Sequence, residues 1–104
     1  MSANRSWRPA AIEEVEHIVQ TDLLSCNSAE KEAFRRFAVE AYEAPLVRHG
    51  QLELVVVVAR RGNAVIYWED VEEGFNLSPI SSEGSILEHS CSQGDLWLAI
   101  RRWL

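Results

Sequence analysis

A chain of 104 residues with 47% hydrophobic and 25% charged residues has the composition of a folded globular protein and lies away from the low-hydrophobicity regime of disorder. Its 16 acids against 10 Lys and Arg give a formal charge of -6, which disfavours nucleic acid and anionic lipid and favours a basic partner. The length fits one α+β domain spanning the whole chain, folding without metal or disulfide, alone or as a small oligomer.

The first ten residues, MSANRSWRPA, lack the apolar segment of a secretory signal, and acids enter at Glu13 and Glu14, against a basic transit peptide. The longest apolar run, residues 54 to 59, is far short of the about 20 residues a membrane-spanning helix needs. Cytoplasm is the expected location, with no membrane partner. Cys26 and Cys91 fall in different predicted elements without CxxC spacing, so free thiols are expected rather than a bridge.

In chain order, residues 9 to 24 read as a helix, because Ile12, Val15, Val19 and Leu23 recur at helical steps and Pro9 suits the first helical position. Asn27 with Glu30, or Ser28, caps a second helix whose apolar stripe runs through Ala33, Phe34, Phe37, Ala38, Ala41 and Tyr42. Pro45 disfavours helical geometry at Ala44, so this helix ends or bends there, with Gly50 closing the segment.

From Leu52 to Ala59 the pattern becomes β-branched and nearly continuous, as in a strand covered on both faces. Arg60-Arg61-Gly62-Asn63 is a turn, Ala64 to Trp68 an antiparallel second strand, Phe75 to Ser78 a third and Ile86 to His89 a fourth. Ser92 with Asp95 caps a terminal helix in which Leu96, Trp97, Ile100, Trp103 and Leu104 mark one face. The predicted architecture is α+β: two N-terminal helices, a four-stranded, mainly antiparallel meander sheet and a C-terminal helix.

Between Gly62 and Ile100 there is no Lys or Arg but there are seven acids: Glu69, Asp70, Glu72, Glu73, Glu83, Glu88 and Asp95. Four of them crowd the connection after Trp68. The candidate protein-binding residues are therefore Trp68, Glu69, Asp70, Glu72, Glu73, Phe75 and Glu83, with the aromatics as anchors and the acids steering a basic surface. Burial of Trp68 is an equal expectation, because Ala64, Ile66 and Trp68 alternate onto one side of a strand.

No catalytic residue, metal or cofactor is assigned. The acidic cluster lacks the spacing of a calcium loop, no serine sits in a GxSxG elbow, and the glycines form neither a GxGxxG nor a GKS/T loop. His89 and Cys91 would share one side of a strand but lack further ligands. The leading reading is a small interaction protein for a basic partner, such as an inhibitor, an immunity-like factor or an adaptor. Two alternatives are a ligand-binding or metal-dependent enzymatic domain using His89 and Cys91, and a homodimer sharing a sheet face or helical stripe.

Overall fold

The computed structural model describes residues 11–70, 73–87 and 94–104. The architecture is α+β: helices α1 (Ile12–Leu23) and α2 (Ser28–Phe37), strands β1 (Ala38–Arg48), β2 (Gln51–Arg61), β3 (Ala64–Glu69) and β4 (Gly74–Pro79), then helix α3 (Leu96–Arg101). The strands form an antiparallel meander in the order β1-β2-β3-β4.

Local chemistry explains the helix boundaries. Glu14 Oε1 accepts from the Ala11 N–H at 2.7 Å, satisfying a donor ahead of α1. At α2 the reciprocal capping box forms: Asn27 Oδ1 accepts from Glu30 N–H and Glu30 Oε1 accepts from Asn27 N–H, both at 2.8 Å. Asn27, and not Ser28, is thus the cap. Helix α3 lacks a side-chain bond from its own cap, Asp95, and Asp22 of α1 supplies an acceptor instead, its Oδ2 lying 3.3 Å from the Leu96 nitrogen. Pro9 and Ser92, two expected helix-start residues, lie outside the described residues.

The second helix is shorter than its apolar stripe predicts. It stops at Phe37, and the stripe residues expected to continue it, Ala38, Ala41 and Tyr42, belong to β1. Pro45 is tolerated because β1 is an edge strand: the Pro45 carbonyl accepts from Ile86 N–H on the outer side, so the position of its missing donor also faces away from β2. The predicted fourth strand, by contrast, is reduced at Ile86 to isolated bridges, with Leu87 irregular and His89 outside the described residues. Four strands are present, but the additional one precedes Leu52 instead of following Pro79.

Two bulges shape the sheet. The β2–β3 register shifts between Val57 and Ala59, which turns both Val58 and Ala59 toward the helices and explains an apolar run without alternation. A second shift lies between Ala38 and Tyr42 of β1. On the helix face, Val56, Ile66, Trp68 and Phe75 pack with Val15 and Val19 of α1, Phe34 of α2, and Leu96 and Ile100 of α3. On the other face, Leu46, Val55, Val57, Val65 and Tyr67 pack with Ile80 and Ile86.

Ile86 accounts for the burial of that second face. It bridges Leu46 on one edge of the sheet and Ile80, just past the other edge strand, while Ile80 N–H still donates to Asn63 O at 2.7 Å. In a flat four-stranded sheet the edges stand about 14 Å apart, too far for one residue to touch both. The sheet is therefore curled around Tyr67 and Val57, each 0% exposed. Burying apolar side chains of this size contributes about 1.5–3 kcal/mol each.

Candidate functional site

The β1–β2 hairpin overreaches the rest of the sheet. β2 pairs with β3 only from Val56 onward, whereas Gln51 to Val55 pair with β1 alone, opposite Arg48 to Ala44. These ten residues and the His49-Gly50 turn form a projecting hairpin arm, bridged by Ile86 at Leu46 on its outer edge. His49 at φ 51 and Gly50 at φ 75 are both left-handed, as a tight two-residue hairpin turn requires.

Strand alternation sorts the arm into two faces. Leu46, Arg48 and Val55 turn inward and are buried. Pro45, Val47, Leu52 and Leu54 turn to the helix side, where the helices leave them bare: Val47 is 58%, Leu52 69% and Leu54 45% exposed. Val47 stands opposite Leu52 and Pro45 opposite Leu54, so the exposed apolar groups are contiguous. None of them was among the sequence candidates. The signal that could have found them is the alternation Gln51-Leu52-Glu53-Leu54, which places both leucines on one face.

The arm is latched from within. The Arg48 guanidinium is buried and ion-paired with Glu69 Oε2, and Glu53 Oε2 lies 3.8 Å from Arg48 Nε. Glu69, expected on the docking surface, is therefore an interior residue, 0% exposed. Trp68 and Phe75 are also interior, packed edge to face with ring centroids 5.1 Å apart, and Trp68 Nε1 donates to Asp70 Oδ1 at 2.9 Å. They face the helices, as the alternation of Ala64, Ile66 and Trp68 allowed, and are not surface anchors.

The remaining acids separate by end of the sheet. Asp70, half-buried, and Glu73, exposed at φ 55, sit in the β3–β4 connection at the arm end. Glu72 lies outside the described residues. Continuing the Val56–Trp68 register by two residues brings Leu54 level with Asp70, so this connection flanks the apolar face. Asp95 joins that end, because Gly94 O accepts from Phe75 N–H at 2.8 Å. Glu83 does not: it follows Ile80, which is bonded to the Gly62-Asn63 hairpin at the opposite end.

Asp95 also acts on its neighbours. Burial raises the Asp22 carboxyl above its ordinary value of 3.8, opposed by the Leu96 N–H, and the nearby Asp95 charge raises it further. Burial likewise pushes the Cys26 thiol up, reinforced by Glu30 and Asp22 and opposed by Lys31, and Cys26 is a buried, free thiol. A different opening, about 410 Å³, lies between α1 and β1, with Glu16, His17 and Gln20 beside buried Val19, Phe34 and Val58.

Among the described residues, no group of three or more His, Cys, Asp or Glu is placed to hold a metal ion, and no helix is long and apolar enough to cross a membrane. His89 and Cys91 lie outside the described residues. No family model, curated protein or solved structure matches this chain.

Proposed function

We propose that this chain is a small protein-interaction module that docks a basic partner on the β1–β2 arm and acts by occlusion or recruitment rather than by bond making. The observation that carries this reading is the contiguous exposed apolar face of Val47, Leu52 and Leu54 beside exposed acids. Glu43 follows the same side of β1, and Asp70, Glu73 and Asp95 flank the arm end. Acids around an apolar centre give a division of labour: charge speeds encounter and rejects acidic surfaces, while the desolvated centre slows dissociation.

Leu52 takes the anchoring role that the buried Trp68 and Phe75 do not fill. The Arg48–Glu69 pair holds the arm in place before binding, which limits the ordering cost of docking. The test is affinity capture from native lysate with the wild-type chain and a Leu52→Lys, Val47→Ser variant as paired baits, at low and high salt. A basic protein retained stoichiometrically by the wild type, released by salt and lost from the variant is the expected result. Equal retention by both baits refutes the arm as the docking site.

A further inference from the structure

The end of the sheet opposite the arm has the complementary character. Arg35 and Arg36 close α2, Arg60 and Arg61 close β2, and Arg101 and Arg102 close α3. These are six of the ten Lys and Arg residues of the chain. Arg61 ties the three elements together: its Nη1 donates to Trp103 O at 2.7 Å, and its Cζ stands 5.3 Å from the centroid of the Phe37 ring. Phe37 and Trp103 meet edge to face at 5.5 Å and are both half-buried, so Arg61 contacts an aromatic pair that reaches the surface, with Arg36 and Arg102 next to it in sequence.

Two of the six arginines are neutralised locally, Arg35 by Glu32 and Arg101 by Glu30. Among the described residues, no Asp or Glu is ion-paired with Arg36, Arg61 or Arg102, and all three are exposed. Arg61 is held by its carbonyl and ring contacts, so less side-chain entropy is lost when an anion binds. Glu40, near the start of β1, and Glu83, in the turn after β4, are exposed acids at this end, and neither forms an ion pair with these three.

We infer that this arginine and aromatic end receives the apolar arm of a second copy of the chain, together with the Glu43 and Glu73 acids that flank it, in a head-to-tail contact. The inference rests on the reading of the arm as a docking surface and names a second copy as a competing occupant. Charge decides the geometry. An arm-to-arm dimer sets Glu43 and Glu73 of one copy against the same acids of the other, whereas head-to-tail contact sets them against Arg36, Arg61 and Arg102. The two surfaces lie at opposite ends of one sheet, so a copy cannot satisfy itself, and repeated contact builds a ring or an open chain. A basic partner on the arm then dissolves the assembly by mass action.

The test is sedimentation velocity from micromolar to millimolar chain, at low and high salt, with an Arg36→Glu, Arg102→Glu variant, a Leu52→Lys variant and their equimolar mixture. All substituted side chains are exposed, and circular dichroism checks that each variant keeps the fold. The wild type should assemble with concentration and dissociate in salt, and each variant alone should remain monomeric. The mixture should stop at a heterodimer, because it contains one intact complementary pair of surfaces. Monomeric wild type throughout, a mixture that stays monomeric, or assembly that persists in the arginine variant overturns the inference. If the wild type is monomeric yet the paired-bait capture finds an arm-dependent basic protein, self-association falls and the docking reading stands.

Discussion

Arg48, at the tip of β1, is buried in an ion pair with Glu69, the last residue of β3, and this interior contact, together with the Ile86 bridge to Leu46, fastens the projecting arm to the body of the sheet. The interior face of the arm is thereby held without covering its apolar outer face. Removing one member of a buried pair leaves the other charged and desolvated, at a cost of about 3–5 kcal/mol. Glu69→Leu and Arg48→Met should each lower the urea midpoint strongly. The double replacement should be less destabilised than the sum of the singles, and additivity in this cycle would contradict the coupling.

Asp22 gives stability a distinct pH signature. Its carboxyl is raised in the folded chain, first by burial, so between its unfolded value of 3.8 and that raised value the folded state binds more protons. This contribution favours folding as pH falls through the window and is lost as pH rises through it. Asp22→Asn should therefore be as stable as the wild type or more so at neutral pH, with the difference shrinking as the wild-type carboxyl protonates. Unfolding curves across the acid range check this; a variant less stable at neutral pH shows that the ionised carboxylate instead supports the α3 start.

Cys26 should react slowly. It is buried and its thiol is raised by burial and by Glu30 and Asp22. In a Cys91→Ser background, iodoacetamide should label the folded chain far more slowly at neutral pH than the urea-unfolded chain. Labelling at the free-thiol rate while the fold is intact would contradict this placement.

The capping box at Asn27 sets a smaller scale. Asn27→Ala should cost about 1 kcal/mol, the usual loss for such a cap. Glu30→Ala should cost more, because Glu30 also accepts from Arg101 Nε at 3.1 Å and is itself buried. Thermal unfolding of both variants ranks them, and the reverse order contradicts the dual role of Glu30.

Features made by neighbouring residues were the legible ones. The Asn27 and Glu30 cap, the Gly62-Asn63 hairpin and the alternation of Ala64, Ile66 and Trp68 all follow from spacing. β1 was hidden because Ala41, Glu43 and Ala44 favour helices, and pairing with β2 overrides that preference. Burial of Glu69 depends on Arg48, 21 residues earlier, which no local pattern reveals. Grouping Glu83 with the acids after Trp68 requires adjacent turns to share one end of the sheet, and the β4 direction carries the turn after it to the other end. The bare apolar face depends on how far the helices extend over the sheet, which periodicity does not encode.

The most direct measurement of the docking site is photo-crosslinking from a benzoylphenylalanine placed at Leu52, compared with the same probe at Glu83, both exposed. In native lysate at low salt, docking on the arm gives a discrete crosslink to a basic protein from position 52, suppressed by salt, and none to that protein from position 83. A crosslink to that protein from position 83 with none from position 52 would contradict docking on the arm.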